Sequence, residues 1–483
     1  MILATRNGAT MHETLPQPTR AFLGFGLSLQ FCFAVFGAQS SFLFVDSGQT
    51  LGEYFSASVA LGDLDGDGDL DAWVANYLGP NLVWTNDRAG GFNDSGVRLG
   101  NANSYAVALG DLDGDGDLDA WVANYQGVDS VWVNDGEGGF TDSAQALGPG
   151  RGTSVARGDL DGDGDLDAWV ANGFGEADTV WTNDGTGRFS DSGQRLGTAF
   201  SYSVALGDVD GDGDLDAWIA NRDESNAVWI NDGSGTFTDS NQTLGALASF
   251  SVALGDVDGD GDLDAWVANY AGDPDRIWMN DGSGTFTNSG QLLGDDYSTQ
   301  VALGDLDGDG DLDAWVTDYL GPNLIWVNDG SGIFSDSGQT LGDDPSYSVA
   351  LGDLDDDGDL DAWVANDGAP NTVWDNVVQG ACCTDGTCVQ LQTELCTDLG
   401  GTYFGGVCTE TSCENTDPIG ACCVGSGCDL VTRTVCDNFG GLWIEGSSCT
   451  ECPAGCEADL NSDGTVDGRD LAIILSNWGL PCR

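Results

Sequence analysis

The chain has 483 residues, 80 of them Asp or Glu against 13 Lys or Arg, for a formal charge of -67. Such a surface argues against nucleic acid and anionic membranes as partners, because both need a basic face. Self-repulsion at this charge opposes a compact state unless counter-ions bind, yet 41% hydrophobic residues and 16 Trp are too many for a disordered acidic chain.

At the amino terminus an apolar run over 21–37 follows Arg20 and ends in Ala38-Gln39-Ser40. This is the pattern of a secretory signal occupying 1–40, with Met11 as an alternative start. A retained membrane anchor is the other reading, although the run falls short of the ~20 residues a span needs. Cleavage leaves a chain with no membrane span and removes His12 and Cys32. All 13 basic residues are Arg, so the remainder has neither His nor Lys, and its 14 Cys all lie from Cys382 to Cys482. That cysteine density implies an oxidising, extracellular compartment.

Residues 41–378 are dominated by a repeat. The string Gly-Asp-Leu/Val-Asp-Gly-Asp-Gly-Asp-Leu-Asp-Ala-Trp begins at Gly62, Gly110, Gly158, Gly207, Gly255 and Gly304, and again at Gly352 with Asp356 in place of the first inner Gly. Seven units at steps of 48 or 49 residues, each with four short strand-like runs, predict an all-β, seven-bladed β-propeller. In the second unit the runs are 106–109, 119–123, 131–134 and 140–147. The third and fourth are joined by Asn134-Asp135-Gly136, a tight-hairpin signal. Two Trp per unit, such as Trp121 and Trp132, are expected as core between blades. The fourth-strand motif, Phe-x-Asp-Ser-Gly-Gln-x-Leu-Gly, first occurs at 44–52, before any Asp loop, while the last unit stops at Trp374-Asp375-Asn376 without one. The amino-terminal strand is therefore expected to complete the seventh blade and close the ring.

Each unit carries Asp at positions 1, 3, 5, 7 and 9 of its first loop. In chain order these are Asp63, Asp65, Asp67, Asp69 and Asp71; Asp111, Asp113, Asp115, Asp117 and Asp119; Asp159, Asp161, Asp163, Asp165 and Asp167; Asp208, Asp210, Asp212, Asp214 and Asp216; Asp256, Asp258, Asp260, Asp262 and Asp264; Asp305, Asp307, Asp309, Asp311 and Asp313; and Asp353, Asp355, Asp357, Asp359 and Asp361. Alternating carboxylates with Gly at position 6 match the start of a calcium loop, in which position 7 gives its backbone carbonyl and turns its side chain to solvent. Hard oxygen donors without His or Cys select Ca2+. Carboxylates this crowded repel by ~1 kcal/mol per close pair even at a water-like dielectric, a cost a divalent cation reverses. The expected role is structural, with one ion per blade stapling the first strand to the second.

The Asp-x-Asp-x-Asp-Gly-x-x-Asp loop between two strands, repeated seven times over 41–378, resembles the FG-GAP repeats of integrin α-subunit propellers, and more closely their bacterial relatives, the VCBS-type repeats. The resemblance implies a β-propeller with Ca2+ sites. The Gly-Ala-Pro element is replaced here by Trp73-Val74-Ala75-Asn76, and no integrin ligand is implied.

In such a meander the Asp loops and hairpins share one face, and the opposite face carries the loops in which the copies differ. Variable loops on a rigid repeat are where recognition is usually found. Tyr77, Tyr125, Tyr270 and Tyr319 follow second strands there, and Tyr105, Tyr202, Phe250 and Tyr347 precede first strands. Arg222 and Arg276 are rare cations on that face. These side chains suit an extracellular carbohydrate or protein ligand, with packing at loop bases as the alternative. No catalytic residue is assigned, since the ring offers no His, Lys or Cys. A glycan-acting enzyme using Asp and a purely structural matrix protein are the rival classes.

Two Cys-rich modules follow, 379–416 and 417–454, each opened by Gly-Ala-Cys-Cys and holding six Cys; three disulfides each are expected, with zinc clusters as the alternative. In the last segment, 455–483, Asp459, Asn461, Asp463, Thr465, Asp467 and Asp470 occupy the ligand positions of a helix-flanked Ca2+ loop. This segment resembles one half of a dockerin repeat, which implies a cohesin-like or surface-attachment partner. The sequence thus predicts a secreted, calcium-binding, non-catalytic propeller for adhesion or ligand binding, with about seven Ca2+ in the ring and one in the tail.

Overall fold

The computed structural model describes residues 41–384, apart from 149, 295 and 296, and the strand segments 387–391, 402–403, 419–424, 427–432 and 442–445. The leader at 1–40, most of both Cys-rich modules and the dockerin-like segment lie outside the described residues.

Strand β1 (Ser41–Asp46) precedes the first blade, which comprises β2 (Ser56–Gly62), β3 (Asp71–Asn76), β4 (Asn81–Asn86) and β5 (Phe92–Leu99). Blade two is β6 (Asn103–Gly110), β7 (Asp119–Gln126), β8 (Ser130–Asn134) and β9 (Phe140–Asp142). Blade three is β10 (Gly152–Gly158), β11 (Asp167–Asn172), β12 (Thr179–Asn183) and β13 (Phe189–Asp191). Blade four is β14 (Ser201–Gly207), β15 (Asp216–Asn221), β16 (Ala227–Asn231) and β17 (Phe237–Asp239). Blade five is β18 (Ser249–Gly255), β19 (Asp264–Asn269), β20 (Arg276–Asn280) and β21 (Phe286–Asn288). Blade six is β22 (Ser298–Gly304), β23 (Asp313–Asp318), β24 (Asn323–Asn328) and β25 (Phe334–Leu341). Blade seven has β26 (Ser346–Gly352), β27 (Asp361–Asn366) and β28 (Thr372–Thr384), in the order β1-β28-β27-β26.

The amino-terminal strand thus supplies the outer strand of the last blade, with Phe44 opposite Asn376. First strands meet side by side around the axis, and β2 touches both β6 and β26, so the ring is closed. At the closing joint the Val59 N–H donates to Ser348 Oγ at 3.2 Å.

Second strands such as β3 are buried at every position, because adjacent blades cover both faces. The first Trp of each blade packs edge-on against the fourth-strand Phe of the next: Trp73 on Phe140 at 4.6 Å, and Trp363 on Phe92 at 4.5 Å. Phe44 fills this role against Trp315 at 4.7 Å, which is why the leading strand fits the gap. Burying about 200 Å² of ring at about 25 cal/mol/Å² contributes about 5 kcal/mol per joint.

Polar groups reinforce the same joints. Gln194 Nε2 donates to Gly235 O at 2.6 Å and its Oε1 accepts the Phe237 N–H at 3.0 Å, a bridge repeated by Gln49, Gln145, Gln242 and Gln291. Gln339 reaches the Phe44 N–H.

One expected boundary differs. The fourth strand of blade two stops at Asp142 rather than 147; Ala144 takes a left-handed φ of 57° and its N–H turns back to Asp142 Oδ1 at 2.8 Å, a turn that Gly96 also makes in blade one, where the strand runs on to Leu99. Leu147 rejoins as a single bridge to Asp129. Beyond blade seven, β28 continues into a hairpin with β29 (Thr387–Leu391), with β30 (Thr402–Tyr403) on its other side. The strands β31 (Ile419–Val424), β32 (Gly427–Thr432) and β33 (Leu442–Glu445) form a separate sheet. Among the described residues no helix is long and apolar enough to cross a membrane.

Candidate metal centres and the opposite face

Each Asp loop joins the first strand of a blade to the second, as Gly62 pairs with Asp71 across the blade-one hairpin. The loop is shaped by its own carboxylates. Asp63 accepts the N–H of Gly66 at 2.8 Å and of Gly68 at 3.1 Å, and Asp67 Oδ1 accepts the Asp69 N–H at 3.1 Å. Asp71 is fully buried, taking the Leu64 N–H at 3.0 Å and the Asn86 N–H at 2.8 Å, so position 9 ties the loop to the third strand. The same pattern recurs at Asp119, Asp167, Asp216, Asp264, Asp313 and Asp361.

These carboxylates converge. One oxygen from each of Asp63, Asp65 and Asp71 falls within 4.8 Å of the others, as do trios in the loops beginning at Asp111, Asp159, Asp208 and Asp256. The position-3 carboxylates carry the test of fit. Oδ1 of Asp65, Asp113, Asp161, Asp210 and Asp355 is buried and accepts no hydrogen bond. A buried oxygen without a donor is costly. Burial first, then the neighbouring position-5 Asp, pushes the position-3 pKa up in these loops, and burial pushes Asp71, Asp119, Asp167, Asp216 and Asp264 up to about 6. Converging hard oxygens with spare lone pairs fit a divalent cation such as Ca2+.

Position 7 corrects one expectation. Its side chain is half-buried rather than turned to solvent, and in blades two to six it lies over the hairpin of its own blade: a Cβ at Gly136 would meet Asp117 Oδ2. In blade one, Arg88 replaces that Gly, and its Nε donates to Asp69 Oδ1 at 2.5 Å.

The loops also sit between blades, which the sequence reading missed. Asn134 Nδ2 of blade two donates to Leu64 O of blade one at 3.0 Å, and equivalent bonds run from Asn183, Asn231, Asn280, Asn328, Asn376 and Asn86. A side chain at Gly66 would clash with Gly136 O at 2.8 Å, and one at Gly138 would press Asp65 Cβ at 3.3 Å. The Trp-x-Asn string, repeated in all seven blades, held this information, since an Asn placed seven times at the end of a strand implies a fixed partner.

On the opposite face, aromatic rings run from blade to blade. Tyr77 meets Tyr105 at 5.5 Å and Tyr125 at 6.0 Å; Tyr125 meets Phe174 at 5.3 Å; Tyr202 stacks on Phe250 at 4.0 Å, and Phe250 on Tyr270 at 4.4 Å. Tyr270 reaches Tyr319 at 6.2 Å, and the Tyr319 hydroxyl donates to Asp367 Oδ2 at 3.0 Å. Burial first, then the neighbouring tyrosines, raises the hydroxyl pKa of Tyr105 and Tyr347. Arg222 lies over Phe200, Tyr202 and Phe250 at 5.8–6.0 Å from their centroids. Of the candidate ligand residues, Tyr77, Tyr125, Arg222, Tyr270 and Tyr319 come together. Arg276 does not; its guanidinium donates to Gln291 O at 3.4 Å beside Trp278 in a small inter-blade gap. Phe174, Phe200 and Tyr297 belong to the band and were missed because they do not occupy the Tyr positions of the repeat.

The family described as FG-GAP-like repeat matches residues 63–122, 111–170, 159–219, 208–267, 256–316 and 305–364. The chain is similar in structure to the crystal structure of BBS1N in complex with ARL6DN, soaked with mercury, at 12% identity and TM-score 0.50, covering 70% of this chain and 97% of that one. The complex soaked with lead matches at 12% identity and TM-score 0.50, covering 68% and 96%. At that identity the likeness shows the fold alone. No curated protein matches the sequence.

Proposed function

Because this chain belongs to the FG-GAP-like repeat family, we propose that it is a secreted, Ca2+-stabilised and non-catalytic propeller that binds an extracellular protein or carbohydrate on its aromatic face. The observation that carries this reading is the segregation of the two faces. Near-identical Asp loops, with orphaned buried oxygens, occupy one. The other holds the variable loops, the aromatic band, and the exposed Phe55, Leu78, Val128, Phe174 and Leu320. Side chains at positions 1, 3, 5 and 9 and the carbonyl at 7 hold the ion, which supplies the counter-charge that lets the loops pack between blades. Five of the nine exposed large apolar residues among those described lie on this face, which favours a partner there.

A glycan-acting enzyme needs a reachable carboxyl of raised pKa outside the metal loops. Asp129 and Asp178 have raised pKa values, but they are sealed in the blades, 0% and 2% exposed; Asp375, pushed up to about 6 by burial and then by Asp355, is half-buried beside the blade-seven Asp loop rather than on the aromatic face. The Cys-rich modules serve as a spacer, and the dockerin-like segment, with an eighth Ca2+, as an attachment point. The test is a glycan array and an extracellular-protein pull-down, each run with and without Ca2+, using the wild type and a Tyr125→Ala/Tyr270→Ala variant. Binding lost in the variant at an unchanged melting temperature supports the reading; binding that survives the double substitution contradicts it.

A further inference from the structure

The seven Asp loops are not surrounded alike, and one exception lies at the joint where the ring closes. In blades two to six the hairpin beside the loop reads Asn-Asp-Gly, with Gly136, Gly185, Gly233, Gly282 and Gly330 at the turn. Blade one has Arg88 at this position, held at a left-handed φ of 68° that a Gly would adopt without strain. Its Nε donates to Asp69 Oδ1 at 2.5 Å and its Nη2 to Asp67 O at 3.3 Å, so the guanidinium lies against the blade-one loop.

The same hairpin is docked on the blade-seven loop. Asn86 Nδ2 donates to Leu354 O at 2.8 Å and the Gly90 N–H to the same carbonyl at 3.0 Å. That loop carries the compensating exception: Asp356 replaces the first inner Gly, also left-handed at φ 63°. At the next joint these two positions are Gly66 and Gly136, a contact so close that a Cβ at Gly66 would lie 2.8 Å from Gly136 O. Two glycines in contact have been exchanged for an acid and a base, in adjoining blades, where the first and last repeats meet.

We propose that Arg88 is a resident counter-cation of this joint, and that it makes the blade-one loop the weakest calcium site of the ring. The inference rests on the calcium reading above and adds to it a ranking of the sites. A fixed positive charge beside the loop repels an incoming divalent ion and neutralises part of the field that attracts it. An exposed charge a few ångströms away lowers affinity by about tenfold at low salt, and less at high salt. The blade-seven loop offsets part of this with its sixth acid. The arrangement keeps the closing joint partly neutralised while free Ca2+ is scarce.

The test is calcium binding to the full chain by calorimetry after removal of metal with EGTA, at low and high NaCl. Arg88→Gly, which installs the residue of the other hairpins, and Arg88→Gln, which removes only the charge, are each expected to strengthen the weakest class of site about tenfold at low salt. The number of ions bound should not change. Gly136→Arg, the same charge moved to blade two, is expected to weaken one further site by a similar factor. Isotherms unchanged in both Arg88 variants and in Gly136→Arg would overturn the proposal while leaving the calcium reading intact. A wild type that binds no Ca2+ would overturn both.

Discussion

Replacing Asp129 with Asn should stabilise the protein at alkaline pH and change it little in acid. Asp129 is 0% exposed; its Oδ1 accepts the Asn124 N–H at 2.8 Å, and its Oδ2 is buried without a partner. Burial, opposed by that one backbone bond, pushes its pKa from 3.8 to about 8. An unfolded chain ionises the group near pH 4, whereas the folded chain keeps the proton to about pH 8. The group's contribution is therefore fully present below pH 4 and is lost as pH rises through about 8. From pH 5 to 8, at about 1.4 kcal/mol per unit, the loss amounts to about 4 kcal/mol. Asn removes the titration and keeps the acceptor, because Asn81, Asn226, Asn323 and Asn371 take the equivalent N–H at 2.8–3.0 Å in blades one, four, six and seven. Urea denaturation of both proteins at pH 5 and 8, in saturating Ca2+, measures the difference. The Asn variant should gain about 4 kcal/mol more over wild type at pH 8 than at pH 5. Stability curves that run parallel across this range, or a variant weaker at pH 8, would refute the reasoning. Asp178→Asn should show a smaller effect, because the Ser201 hydroxyl donates to Asp178 Oδ2 at 3.1 Å and the pKa rises only to about 7.

Phe44→Ala removes the ring that packs on Trp315 and should destabilise by about 3–5 kcal/mol, read as a lower melting temperature. Gln194→Leu leaves Gly235 O and the Phe237 N–H without partners at one joint, and should cost about 1–3 kcal/mol by denaturant titration. Asp65→Asn should lower the calcium count by one in metal analysis, yet raise the melting temperature in EGTA, because burial and Asp67 already disfavour its charge.

The fold was legible because the repeat carries its own punctuation. The 44–52 copy ahead of the first Asp loop announced the closing strand, and β1 lies where that copy required. The Asp loops were equally legible, since alternating short carboxylates with Gly at position 6 encode a local shape. What joins the blades was not. Asn134 and Gln145 read in one dimension as turn and strand residues, while their partners, Leu64 and Gly187, lie in neighbouring repeats about 70 and 42 residues away. The side-chain direction at position 7 was misjudged for the same reason, because the hairpin that covers Asp117 belongs to a different part of the blade. The aromatic band was half legible: Tyr at a repeated position could be seen in the string, but Phe174 and Phe200 join it only through the approach of adjacent blades.

Calcium-linked stability tests the central claim most directly. Ions that bind the folded loops and not the unfolded chain stabilise by mass action, about 2.7 kcal/mol per site when free Ca2+ is a hundredfold above its dissociation constant. Melting curves of the full chain, first in excess EGTA and then across a series of free Ca2+ concentrations, should shift upward continuously with calcium. A melting temperature identical in EGTA and in saturating Ca2+ would contradict the account.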